Sequence, residues 1–126
     1  MKFLNYLCIV KVREVIAYRH YFDEFFKAQS PKVRDKIIKI LDLIEQMERI
    51  PTTYLKYMEG TNGLFEVRVQ LAGNIFRIFC FFDGNKFVIL LTGFQKKTKK
   101  TPKEQIDKAV RLMAAYYKEK KKESTR

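Results

Sequence analysis

The sequence contains no tryptophan, one histidine, two cysteines, three prolines and five glycines. Each shortage excludes something. His20 stands alone at a predicted strand-to-helix junction, has no partner for a triad, and reads as a local structural residue. A single histidine, with no close acidic pair on the predicted sheet face, supplies too few ligands for a metal ion, so no metal and no cofactor are expected. Cys8 and Cys80 lie in apolar runs without CxxC spacing, which argues against a disulfide framework or a zinc site and makes Cys80 a buried free thiol. No run approaches the roughly 20 apolar residues of a membrane span. Met1 to Val10 imitates a secretory signal in outline. It carries one lysine, however, is interrupted by Asn5 and is followed by no small-residue cleavage site, so a cytoplasmic location is expected. Neither an internal repeat nor a Pro/Gly/Ser linker divides the chain, and its 126 residues suit one domain.

Acidic residues are also scarce. Fourteen oppose 26 lysines and arginines, leaving a net charge of +12, while the apolar share of 47% is ordinary for a folded domain. Such a charge destabilises the compact state by self-repulsion and attracts polyanions. Nucleic acid is the first candidate partner, an acidic protein the second and an anionic membrane surface the third.

The elements follow from periodicity and punctuation. A short strand is predicted over Arg13 to Tyr18, then a helical turn at Phe22 to Phe26. Ser30-Pro31 supplies an N-cap and a first-turn proline for a second helix, whose stripe is Val33, Ile37, Ile40, Leu41, Ile44 and Met47 and whose end falls near Arg49, before Pro51. From Leu64 the period becomes two, giving three strands at 64–71, 74–83 and 87–94, joined by turns at Gly73 and at Asp83-Gly84-Asn85-Lys86. Thr101-Pro102-Lys103-Glu104 opens a last helix with the stripe Ile106, Ala109, Val110, Met113 and Tyr117. Residues 118–126 read as a charged, frayed tail beyond a core of about 13–117. The fold class is α+β: an N-terminal strand, a helical hairpin, a three-stranded antiparallel meander and a C-terminal helix, with the helices on one face of the sheet and the other face open.

That open face carries the candidate site. A two-residue loop after Leu71 puts Val67 and Val69 beside Phe76, Ile78 and Cys80 on the core face. It puts Glu66, Arg68 and Gln70 with Arg77 on the other, and in one of the two compatible registers Arg68 lies opposite Arg77. Facing guanidinium groups repel unless an anion joins them. Thr92 and Phe94 fall on the same face. Lys96, Lys97, Lys99 and Lys100 follow at once, so the lysines extend a basic sheet surface into a polyanion site.

The stretches GLFEVRV, NIFRIFCFFDGNKFVILLTGF and QKKTKKTPKEQIDKAVRLM resemble the RelE/HigB superfamily of toxins from type II toxin–antitoxin modules, most of all its phage-derived HigB-like subfamily, over Arg13 to Tyr117. The resemblance implies a RelE-like fold, cleavage of mRNA on the ribosome, and a cognate antitoxin, often of helix-turn-helix type, in a hetero-oligomer. It implies Arg77 at the scissile phosphate, Arg68 as a second basic group, and Lys96 and Lys97 as the basic residues after the last strand. The chain lacks the active-site histidine of some members and shows no obvious match to their tyrosine after the lysine loop. Chemistry without histidine has the RNA's own 2′-hydroxyl attack the phosphate. Arg68 and Arg77 donate to phosphate oxygens, Lys96 or Lys97 acts as base or acid, and Gln70, Lys99 and Lys100 bind RNA. The competing expectation is a non-catalytic basic module for nucleic acid or an acidic protein.

Overall fold

Ala72 and Gly73 both adopt left-handed backbone, with φ of 51° and 81°, and this tight turn sets the register of the sheet. The computed structural model describes residues 11–124. The expectations for Cys8 and for a signal-like segment at residues 1–10 therefore lie outside the described residues. The strands are β1 (Glu14–Ala17), β2 (Leu55–Tyr57), β3 (Phe65–Leu71), β4 (Asn74–Asp83) and β5 (Phe87–Lys96). The helices are α1 (Tyr21–Lys27), α2 (Pro31–Gln46) and α3 (Lys103–Ser124). The sheet order is β1-β5-β4-β3-β2. β1 runs parallel to β5 and the other pairs are antiparallel.

The expected register holds: Arg68 pairs with Arg77, Val67 with Ile78 and Val69 with Phe76. Farther along, β4 and β5 slip by one residue. Ile78 pairs with Gly93 but Cys80 pairs with Leu90, so Leu91 and Thr92 together oppose Phe79 in a bulge. The bulge is what places Leu91 and Phe94, an odd and an even position, on one side of the same strand. Gly93, on the other side, is pressed by α1. A Cβ there would sit 2.5 Å from the Phe25 ring. Gly93→Ala is therefore expected to cost about 1–3 kcal/mol through overpacking, measured by chemical denaturation. An unchanged midpoint would show that α1 is free to move aside.

Two apolar layers enclose the sheet. Under α1 and α2 lie Val67, Val69, Phe76, Ile78, Cys80, Val88 and Leu90, against Val33, Ile37, Ile40 and Ile44, with Phe82 partly buried at the margin. Burial pushes the free Cys80 thiol's pKa up and leaves it unreactive. The second layer corrects the sequence reading. The arginine face is not open: α3 covers much of it, packing Ala109, Leu112 and Met113 on Phe79, Phe81, Ile89 and Leu91. The buried stripe of α3 accordingly uses Leu112 and Met113, while Val110 and Tyr117 are exposed. Nor is the segment after Tyr117 frayed, since α3 continues to Ser124. Lys120 Nζ lies 2.6 Å from Asp83 Oδ2, Tyr116 donates to the same oxygen, and Arg19 pairs with Glu119.

This clamp titrates at both ends. Lys120 and Tyr116 hold the Asp83 carboxyl below its ordinary value. Its contribution is present above the unfolded carboxylate value of about 3.9 and is lost as pH falls through the lower folded value. Burial, and then the bond to Asp83, push Tyr116 up to about 12. The contribution of neutral Tyr116 is thus complete below about pH 10 and is lost as pH rises through the folded value. Amide exchange at residues 116–124 is expected to accelerate at both extremes, and Asp83→Asn to abolish the acid limb. Protection that stays flat between about pH 5 and 2 would contradict the clamp.

Two further devices fix the helical layer. Ser30 Oγ accepts the Val33 N–H at 3.3 Å, as an N-cap does, and the helix it starts ends at Gln46. Arg13 caps the other end, donating to the carbonyls of Ile44, Met47 (2.6 Å) and Glu48 (3.0 Å). Glu45 closes the outer edge of β1: its carbonyl takes the N–H of Val12 and Arg13, and its carboxylate takes that of Val15 at 2.9 Å. β2 was not anticipated. It pairs Leu55 with Val67 and Tyr57 with Phe65, and the ladder runs one bond farther as the Arg68 N–H donates to the Tyr54 carbonyl at 2.8 Å.

Candidate nucleic-acid interface

Three adjacent strands lay out two cross-strand rows on the arginine face. Arg68, Arg77 and Phe94 form one, and Gln70, Ile75 and Lys96 form the next. Side chains in neighbouring positions of such rows are within reach of one another. Beyond the last row Lys97, Lys99 and Lys100 stand exposed in a loop, where the Thr98 hydroxyl donates to the Lys100 carbonyl at 2.7 Å.

A cleft of about 460 Å³ opens beside the two arginines. Lys36 and Ile40 of α2, Thr53 and Tyr54, Arg68, Val69 and Gln70 of β3, and Arg77 of β4 line it. The sequence thus named Arg68, Gln70 and Arg77 as residues that share a site, and the structure brings these three to one wall. It does not bring the lysine loop there: none of Lys96, Lys97, Lys99 and Lys100 lines the cleft, although Lys96 shares the arginine face.

Lys36, Thr53 and Tyr54 also line the cleft and are not among the residues that the sequence assigns to the site. Lys36 lies outside the apolar stripe of its helix, and its spacing to Ile40 is the one signal that it borders the buried side. Tyr54 was obscured because three-residue β2, which anchors it, is too short to show a period.

The two arginines differ sharply. The Arg77 side chain is 7% exposed and that of Arg68 33%. Burial pulls the Arg77 pKa down, Glu66 opposes this, and Arg68 adds to the lowering; a guanidinium nonetheless stays charged. Arg77 Nη1 donates to the Phe76 carbonyl at 3.2 Å and Arg68 Nη1 to the Thr52 carbonyl at 3.4 Å. Glu66 corrects the expectation of unrelieved repulsion. Its Oε1 lies 3.6 Å from Arg77 Nε and 3.8 Å from Arg68 Nε, so a buried carboxylate stands between the two guanidiniums. Among these three groups one net positive charge remains, and Lys36 adds a second at the cleft wall. Such an arrangement can hold an anion and stabilise charge that develops on it. His20 is remote from this chemistry, stacked on Tyr21 and 3.6 Å from Glu24. Among the described residues no group of three His, Cys, Asp or Glu is placed to hold a metal ion.

The family model described as "Phage derived protein Gp49-like (DUF891)" matches residues 24–114, which include every residue named at the cleft and in the lysine loop. The chain belongs to the Gp49-like family. This family is one of RelE/HigB-like toxins, the relationship to which the sequence stretches pointed. No curated protein matches the chain. Among solved structures it is similar to one in the archaeal RelE-RelB complex from Pyrococcus horikoshii OT3, at 16% identity and a TM-score of 0.49, over 65% of this chain and 92% of that one. Within the Gp49-like match, Arg68 and Arg77 are the cationic pair at the cleft wall, while the lysine loop joins β5 to α3.

Proposed function

We propose that this Gp49-like protein is the toxin of a type II toxin–antitoxin pair and acts as a ribosome-dependent mRNA endoribonuclease. The observation that carries the reading is the Arg68–Arg77 pair, side by side on the wall of a cleft and partly neutralised by Glu66. In the reaction the 2′-oxygen of the RNA attacks the adjacent phosphorus and the 5′-oxygen of the next nucleotide leaves. The products are a 2′,3′-cyclic phosphate and a 5′-hydroxyl, and no cofactor is consumed. Arg77 and Arg68 donate to the phosphate oxygens, more strongly as charge accumulates on them. The 2′-hydroxyl must give up a proton and the departing 5′-oxygen must take one, and besides the arginines Tyr54 and Lys36 are the side chains lining the cleft that can exchange protons. Gln70 and Lys96 contact the neighbouring nucleotides, and Lys97, Lys99 and Lys100 attract the polyanion and steer it inward. A ribosome supplies the alignment that so few groups cannot provide alone.

A protein of charge +12 is masked most directly by an acidic partner, so the cognate antitoxin offers an acidic segment to the cleft or the lysine loop. Both act in the cytoplasm. The reading is tested by induced expression in a bacterial host, following growth and mapping mRNA 5′ ends. Arrest with new 5′ ends inside reading frames supports it. Arrest with intact mRNA favours a non-catalytic basic module.

A further inference from the structure

Glu66 is nearly sealed from solvent, with a side chain only 6% exposed. Its approaches to the two Nε atoms, 3.6 and 3.8 Å, are ion-pair distances and too long for hydrogen bonds. Among the described residues Glu66 Oε2 and Arg77 Nε, both buried, have no hydrogen-bond partner. Two orphaned charged atoms on adjacent side chains leave desolvation uncompensated, a situation that folded proteins avoid and that calls for a cause. An ion pair serving stability alone would close to the 2.7–2.9 Å typical of a charge-assisted bond. This one is held open, because each guanidinium is also drawn to a backbone carbonyl through Nη1. One N–H of each Nη1 is engaged by a carbonyl, and the other Nη N–H groups of the two arginines are the donors left for a ligand.

We infer that Glu66 is a positioning residue for a phosphodiester site: it holds Arg77 and Arg68 by their Nε edges, and its contact with Arg77 closes to a hydrogen bond when the phosphate binds. The inference rests on the reading of the cleft as an RNA site. Charge is compatible with it: Glu66 offsets one of the two guanidiniums, and with Lys36 on the cleft wall the site stays cationic and suited to an anion. Register supports it too. Glu66 pairs with Phe79 at the bulge, one row behind the arginine row, so it stands at the back of the guanidiniums and not at their cleft side. It does not line the cleft, which sets it apart from a group that takes the substrate's proton.

The test uses the full chain and Glu66→Gln, which keeps the shape and removes the charge. With mRNA on programmed ribosomes, kcat is expected to fall about 10²-fold, the scale of a misplaced catalytic group, with KM little changed. The pH profile of cleavage should keep its shape. Loss of its acid limb in Glu66→Gln would make Glu66 a proton acceptor and overturn the positioning role. Glu66→Asp, one methylene shorter, should not reach both Nε atoms and should not restore the rate.

A second readout needs no turnover. On adding a short 2′-O-methylated oligoribonucleotide, the Arg77 Nε–H resonance should move downfield and exchange more slowly in the wild type but not in Glu66→Gln. Should Glu66→Gln fail to fold, the same resonance is read in Glu66→Gln/Arg68→Gln, where the charge balance is restored. The two ways of failing are distinct. A wild type that neither binds the oligonucleotide nor cleaves mRNA overturns the RNA reading itself. A wild type that binds and cleaves, beside a Glu66→Gln variant with full kcat and an unaltered Arg77 signal, overturns only the role of Glu66.

Discussion

Arg77→Ala is expected to lower mRNA cleavage by about 10²-fold or more, the scale of losing one preorganised donor to a developing anion. Position sets the size of the effect. Arg77 is 5% exposed and belongs to the central strand of the sheet, so a phosphate bound at the cleft would meet a donor already desolvated and already oriented. A buried donor acts through a low dielectric and needs no reorganisation as charge builds up. Arg77→Lys should recover only part of the loss, because an ammonium can neither fork across two phosphate oxygens nor reach Glu66 and the cleft together. Arg68, a third exposed, should show the smaller effect of the two on substitution by alanine. The comparison needs a variant that removes one positive charge elsewhere. Lys120 will not serve, because it clamps α3 through Asp83. Lys121→Ala, exposed near the end of the same helix, is the suitable control, and it should weaken RNA binding only through the salt-dependent phosphate interaction.

The largest effect on stability is expected at Phe79. This ring is fully buried between the sheet and α3, 5.6 Å from the Phe94 ring, in the layer that holds Leu112 and Met113. Phe79→Ala should destabilise the fold by about 3–5 kcal/mol, combining lost transfer energy with the cavity left behind. Against a total of roughly 5–15 kcal/mol for a domain, that brings the protein close to unfolding at ambient temperature. The damage should also reach the site, because Phe79 is the cross-strand neighbour of Glu66. Urea denaturation monitored by far-UV circular dichroism reads the loss. An equal loss in Ile38→Ala, which removes a side chain 47% exposed on α2, would mean that burial is not what stabilises the protein.

Much of this was legible in the sequence because local rules fixed it. The tight turn at Ala72-Gly73 allows few registers, and the alternation of Val67 and Val69 then forces Arg68 and Arg77 together on the opposite face. Ser30-Pro31 announces its helix through capping chemistry that involves only neighbours in the chain. What escaped depended on contacts between distant segments. Phe79 and Phe81 already implied that the arginine face was covered, but only packing shows that α3 covers it and which of its residues turn inward. The last turns of α3 looked like solvated charge until Asp83 and Arg19, far off in sequence, were found to hold them. Glu66 was visible as a residue on the arginine face. Its position between two guanidiniums came from burial, which alternation alone does not report. The density of charge in the lysine loop is plain in the sequence, but none of its lysines lines the cleft.

The central claim is that the Arg68–Arg77 cleft cleaves RNA through the RNA's own 2′-hydroxyl. The most direct measurement incubates the purified protein with ribosomes programmed with a defined mRNA and identifies the chemistry of the new 3′ ends, for wild type, Arg77→Ala and Lys121→Ala in parallel. The account expects 2′,3′-cyclic phosphate ends from the wild type and from Lys121→Ala at nearly equal rates. From Arg77→Ala it expects the same ends about 10²-fold more slowly. Equal losses in the two alanine variants, or 3′-hydroxyl ends from the wild type, would contradict it.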